Sequence, residues 1–387
     1  MMPLPFCLPR GQPSTRSLRG RGDSDPSVVM LPHSRHQVAR LNGRGRHPLR
    51  WRRIMGSESL RPQAAQCLRD IVAETACNPA LHVLLTGLLA QPGRVLAPEG
   101  PAKWLRFVVE PCDALGGDLA STPYAVAAVE CVLAAADVVD DVVDGDWDHQ
   151  RSPVGCGVNA SLALSHLAQR ALDQLALTCA PQRLARIRSA LSAGVLQACA
   201  GEDLDLRFEN RVDVGVEQAH TMTSWKSGSL VAMACTVGAA LATDDAVTLN
   251  AIATFGTHVG VIAQLLNDSA ALTPQEAALS TDLQRRKKTL PISFALHYAQ
   301  EAQQHDLLRW AESTHPLSAA DCAQLATAIA ELGGLHYAWV VADTHRREAL
   351  ATLRMVQRAT GRRSVWTLRQ LIPQLRARRV HVGAAYA

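Results

Sequence analysis

Between Ala134 and Asp146 the chain reads Ala-Ala-Ala-Asp-Val-Val-Asp-Asp-Val-Val-Asp-Gly-Asp. Asp137, Asp140, Asp141 and Asp144 fall at i, i+3, i+4 and i+7, which sets them on one face of a helix. Like charges at that spacing repel, so the stripe works against the helix that carries it. The remaining positions, Val138, Val139, Val142 and Val143, are apolar and predict that the helix packs into a core. Acids on a helix that is also buried predict a cavity wall that binds cations. Hard divalent ions with oxygen ligands suit it, and Mg²⁺ in particular bridges one or two carboxylates to phosphate.

The surrounding chain is written for helices. Long Ala/Leu/Gln/Arg stretches dominate, and alternating β-branched runs are scarce. The periodicity predicts helices over 59–76, 79–91, 102–115, 122–145, 158–177, 181–207, 214–241, 246–272, 286–303, 317–335, 336–360 and 364–377. Short breaks such as Gln91-Pro92-Gly93, Gly116-Gly117-Asp118 and Thr243-Asp244-Asp245 separate them. The fold class is all-α, a single-domain helical bundle around a central cavity.

Residues 1–54 differ in kind. They hold 11 Arg, no Lys and 2 Asp, and are rich in Pro, Gly and Ser. Disorder is expected there. Three readings fit: a start placed upstream of a true initiator at Met55, an Arg-rich transit segment, or a flexible tail. The helical domain is then 55–387. It carries 28 basic against 33 acidic residues, so a nucleic-acid face is not expected. Ten Cys lie scattered without metal-ligand spacing; several, such as Cys131, Cys199 and Cys235, sit in apolar helical runs. They read as small core residues in a reducing, cytoplasmic setting. No apolar run is expected to span a membrane, the nearest being Leu230–Ala242.

A facing half-site is expected from Phe255 to Ser269. There Gly256 and Gly260 would let helices approach closely, and Gln264, Asn267 and Asp268 share a face. Downstream, Asp282-Leu-Gln-Arg-Arg-Lys-Lys-Thr-Leu-Pro291 is a dense cationic cluster suited to a diphosphate. Lys226 enters one apolar helix, and Lys103 and Arg106 enter another at i, i+3.

Taken in order, these pieces resemble the trans-type isoprenyl (polyprenyl) diphosphate synthases over roughly residues 95–300. The first Asp-rich motif of that family, DDxxD, stands intact as Asp140-Asp141-Val-Val-Asp144. Lys103-Trp-Leu-Arg106, with Asp113-Ala-Leu-Gly-Gly-Asp118 behind it, looks like GKRxRP and its trailing residues. Gly201-Glu-Asp-Leu-Asp205 is similar to GQxxD, Lys226-Ser227 to the Lys-Thr pair, and Lys287-Lys-Thr-Leu-Pro291 to GKxTLP. The departures are specific. Asn267-Asp268-Ser-Ala-Ala271 stands for the second DDxxD, Leu133 for a His, Trp104 for an Arg, and His149-Gln150-Arg151 for an Arg pair.

The resemblance implies the isoprenoid synthase-like fold and Mg²⁺, two or three ions, held by Asp140, Asp141, Asp144 and Asp268 with Asn267. Lys226 acts beside them as a catalytic cation. It implies isoprenoid diphosphate substrates, with Lys103, Arg106, Arg151, Gln264 and Lys287 on their diphosphates, and a homodimer. The activity implied is condensation of an allylic diphosphate with isopentenyl diphosphate. Ala135 and Ala136, a turn before Asp140, would form the cavity floor; their small size points to products beyond C15, with C20 preferred. Two alternatives stay open. One is a terpene synthase that uses a single allylic diphosphate, toward which Leu133 and Asn267-Asp268 lean, although Ala271 and Gln275 break its metal motif. The other is a non-catalytic partner subunit of a synthase.

Overall fold

Proline marks the starts of the helices. Pro62, Pro79, Pro123 and Pro181 each stand in a first helical turn, where the missing N–H forfeits no bond. Asn78 accepts from Leu81 N–H and Asp245 from Thr248 N–H, capping two further starts. The computed structural model describes residues 56–148, 152–273, 276–299, 301–303, 305–313 and 315–375. The basic leader and Arg151 lie outside the described residues.

Fourteen helices and no strand occur among the described residues. They are α1 (Arg61–Ala73), α2 (Pro79–Leu89), α3 (Lys103–Ala114), α4 (Thr122–Asp144), α5 (Val154–Ala176), α6 (Pro181–Glu209), α7 (Val216–Thr223) and α8 (Ser229–Ala242). There follow α9 (Ala246–Ala271), α10 (Thr281–Gln284), α11 (Leu290–Ala299), α12 (His305–Glu312), α13 (Ala319–Glu331) and α14 (Gly334–Thr360). Three expectations shift. The helix expected over 214–241 is interrupted by a π turn, Ser224–Gly228. The one expected over 286–303 begins only at Leu290, next to Pro291. The last is a 3₁₀ segment, Arg363–Leu371, rather than an α-helix.

The bundle is built around α8, which buries most of its length against α3, α6 and α9; α14 closes over α9. The approach of α9 to α8 is as close as the Gly256/Gly260 spacing suggested. A Cβ on Gly256 would lie 2.6 Å from Ala232 Cα, and one on Gly260 would lie 2.7 Å from Ser227 O. With 26 residues, α9 is long and apolar enough to cross a membrane by length and composition, which corrects the expectation that no run is. Here half of it is buried in the bundle, between α8 and α14. Cys131 and Cys235 are buried as expected, but Cys199 is exposed; the described cysteines are free.

A polar pin joins three helices. His345 of α14 meets His220 of α7 through their Nε2 atoms at 2.8 Å, and His258 of α9 through their Nδ1 atoms at 2.8 Å. Burial, followed by the neighbouring His258 and His220, pushes the His345 imidazole down to about 4. Its unfolded value is about 6.5. His345 therefore folds neutral, and its stabilising contribution is complete above about pH 6.5 and is lost as pH falls toward 4, because the unfolded chain takes up the proton first. His345→Asn should make the change in urea midpoint from pH 7 to pH 5 less destabilising than it is in the wild type. An identical pH-dependent change in wild type and variant would refute the pin as its source.

Candidate active site

Three helices end at one place. The last turn of α4 carries Asp140 and Asp144, the end of α6 carries Glu202, Asp205 and Glu209, and the end of α9 carries Gln264, Asn267 and Asp268. Helix C-termini hold partial negative charge, so acids there add to an unfavourable field and cations are drawn in. The cavity between them measures about 380 Å³, and seven carboxylates line it against two lysines, Lys226 and Lys287.

Lys226 is placed by the π turn, whose extra residue resets the phase of the helix there. Gly201 of α6 permits the contact: a Cβ on it would fall 2.2 Å from the Lys226 backbone nitrogen. The ammonium then reaches three acids, Asp140 at 2.9 Å, Glu202 at 2.7 Å and Asp205 at 2.8 Å. Burial alone would favour the neutral amine. The charges of Asp205, Asp140 and Glu202 outweigh it and raise the pKa well above the ordinary lysine value. Lys287 is buried and pairs with Asp144, while Arg285 lies 3.5 Å from Asp144 and binds Glu209 at 2.8 Å. Removing one member of such a buried pair typically costs about 3–5 kcal/mol.

On the α9 side a short relay runs inward. Ser227 Oγ donates to Gln264 Oε1 and Gln264 Nε2 donates to Asp268 Oδ1, both at 2.7 Å. Asp268 is buried; desolvation, then the Asp282 charge, pushes its carboxyl up to about 8. Asn267 is exposed at the rim.

The acids can hold a divalent cation. Ligand oxygens of Asp140, Asp144 and Glu202 lie within 4.8 Å of one another. Glu202 Oε1 and Asp205 Oδ1 are buried with no hydrogen-bond partner among the described residues, which is the state of a carboxylate that wants a cation. Hard oxygen donors of this kind match Mg²⁺.

Residues 105–329, more than half of the chain, match the polyprenyl synthetase family. The chain belongs to that family. It is 30% identical to the geranylgeranyl diphosphate synthase of Mycobacterium tuberculosis, over 73% of this chain and 87% of that one. The fold is similar to the polyprenyl synthetase of Streptomyces coelicolor, with a TM-score of 0.68 at 23% identity, covering 82% of this chain and 98% of that one. It is also similar to a Corynebacterium glutamicum geranylgeranyl pyrophosphate synthase complexed with isoprenyl diphosphate and magnesium. That TM-score is 0.64 at 20% identity, covering 81% and 97% of the two chains.

The cavity gathers Asp140, Asp144, Lys226, Gln264, Asn267, Asp268 and Lys287. Asp141 is exposed and does not line it, because a step of one residue along α4 turns the side chain about 100° away. Asp137, two turns before Asp144, is not part of the cavity lining and binds Arg94 at 2.5 Å; Arg94 is itself buried against Glu130. Of the four valines, Val138 is buried and Val142 packs on the core, but Val139 is exposed. Lys103 and Arg106 start α3 outside the cavity lining, Lys103 exposed and Arg106 paired with Glu110 at 2.7 Å. Ala135 is buried, with Ser161 donating to its carbonyl at 3.0 Å, and Ala136 is half-buried.

The cationic run 285–288 divides. Arg285 and Lys287 face the acids, but Lys288 donates to Glu209 O and Arg286 O, and Arg286, at φ 59°, donates to backbone carbonyls. Glu202, Asp205, Glu209 and Asp282 join the predicted residues at the site. The first three stand at i, i+3, i+7 on α6, a spacing that could have marked them.

The geometry ranks the acids. Asp144→Asn should lower kcat by about 100-fold or more, as expected for loss of a group that stabilises developing charge. Asp141→Asn should cost less than about tenfold. Steady-state kinetics of prenyl transfer give the order, and an Asp141 effect as large as that of Asp144 would contradict it.

Proposed function

We propose that this chain is a Mg²⁺-dependent prenyltransferase that joins an allylic diphosphate to isopentenyl diphosphate, giving a longer prenyl diphosphate, with C20 preferred. The observation that carries the reading is the convergence of Asp140, Asp144, Lys226 and Lys287 on one cavity at the ends of α4, α6 and α9. The M. tuberculosis relative, a geranylgeranyl diphosphate synthase, supports it.

Bound magnesium, two or three ions in this reading, would supply charge neutralisation for the departing diphosphate. Asp140 and Asp144 would hold metal on α4, and Asp268 with Asn267 would hold it on α9. Lys226 and Lys287 supply fixed positive charge beside the diphosphate. Gln264 orients Asp268 and contacts the same diphosphate. Arg151 adds a further cation. Lys103 and Arg106 hold the diphosphate of isopentenyl diphosphate at the start of α3. The small side chains of Ala135 and Ala136 leave room for the growing tail.

A homodimer goes with this reading. Val158 and Leu162 of α5 and Leu196 of α6 are exposed apolar side chains that a second copy would cover. The setting is cytoplasmic, with neither a membrane nor a nucleic acid as partner.

Purified protein given Mg²⁺, farnesyl diphosphate and labelled isopentenyl diphosphate should form geranylgeranyl diphosphate. A hydrocarbon or alcohol formed without isopentenyl diphosphate would replace this reading with a terpene synthase. No turnover with any allylic diphosphate would leave a partner subunit. Ala135→Phe should shorten the main product by at least one C5 unit, read by chromatography of the dephosphorylated alcohols. An unchanged length would place the floor elsewhere.

A further inference from the structure

The facing helix α9 brings a single carboxylate to the cavity, Asp268, which is buried and already accepts from Gln264. Its neighbours Asn267 and Ala271 carry no charge. The acid that stands against α4 comes from a different helix. Glu202 of α6 offers an oxygen within 4.8 Å of oxygens from both Asp140 and Asp144.

Glu202 is an acceptor-only side chain with half of its capacity unused. Its Oε2 lies 2.7 Å from Lys226 Nζ, while its Oε1 is buried without a hydrogen-bond partner. A second side chain makes the same demand from the same cavity. Asp205, only 4% exposed, lines it and leaves Oδ1 without a partner among the described residues. A monovalent cation, the Lys226 ammonium, is already drawn into this corner by Asp140, Glu202 and Asp205 together. One ammonium cannot satisfy three carboxylates that each carry two oxygens.

We propose that Glu202 is a third protein ligand, with Asp140 and Asp144, to a divalent cation, so that the metal site joins α4 to α6. This rests on the prenyltransferase reading only for the identity of the substrate. A cation held by these three carboxylates would compete with the Lys226 ammonium for Asp140 and Glu202. The site is thus built from two helices that each present a carboxylate pair or more, and it does not depend on α9 for its first ion.

The test is direct binding of Mn²⁺ to the full chain without substrate, followed by electron paramagnetic resonance. Glu202→Gln keeps the shape of the side chain and should weaken Mn²⁺ binding about tenfold or more, since affinity follows the ligand charge count. Glu202→Asp keeps the carboxylate and should recover part of the loss. Asp203→Asn removes the same charge one residue along, from an exposed side chain paired with Arg207, and should leave the affinity unchanged. Wild-type affinity in Glu202→Gln, an equal loss in Asp203→Asn, or no Mn²⁺ binding to the wild type would each overturn the assignment. The two readings separate cleanly. An active wild type whose Glu202→Gln variant binds Mn²⁺ normally defeats the ligand assignment alone. An inactive wild type whose variant still loses Mn²⁺ leaves the ligand in place and defeats the prenyltransferase reading.

Discussion

Carboxylates crowd together where three helices present the negative ends of their dipoles, and the site rests on the balance of charge there. The arrangement is uphill by itself: like charges repel, burial penalises each of them, and the helix ends add to the same sign. The chain offsets this with Lys226, held by three acids, and with Lys287 and Arg285 on Asp144. The compensation is incomplete, and buried oxygens of Glu202 and Asp205 stay without partners. A cavity left short of positive charge binds a metal together with the anion that the metal brings.

The backbone has to be shaped for that balance. The π turn at Ser224–Gly228 breaks what the periodicity presents as one long helix and turns Lys226 toward α4 and α6. It fits only because Gly201 has no side chain where the two backbones meet, and Gly260 opens the same turn on the α9 side. Local irregularity and helix-helix contact are therefore one feature here, paid for by missing side chains at a few positions and used to aim a single ammonium.

The two halves of the site are unequal. The α4 side has the intact acid stripe, whereas α9 contributes one buried carboxylate, an exposed amide and an alanine. The family match, residues 105–329, spans both halves. The acids at the end of α6 lie where charge is wanted, which makes that helix a third wall of the site.

The sequence by itself determined the helices, because their periodicity and their proline and glycine breaks are local properties of the chain. It also singled out candidate site residues: Asp140, Asp144, Lys226, Gln264, Asp268 and Lys287 were legible from motif order and do line one cavity. Other features needed the third dimension. A spacing of i+3 or i+4 says which residues share a helix face, but not which way that face is turned. Only packing could show that Asp141 and Val139 look outward, that Asp137 belongs to Arg94, and that Lys288 serves backbone carbonyls. The spacing of Glu202, Asp205 and Glu209 marks a shared face of α6, but not what it meets: Asp140, Asp144 and Lys226 lie far from Glu202 in the chain. Their proximity is fixed by how α4, α6 and the π turn cross.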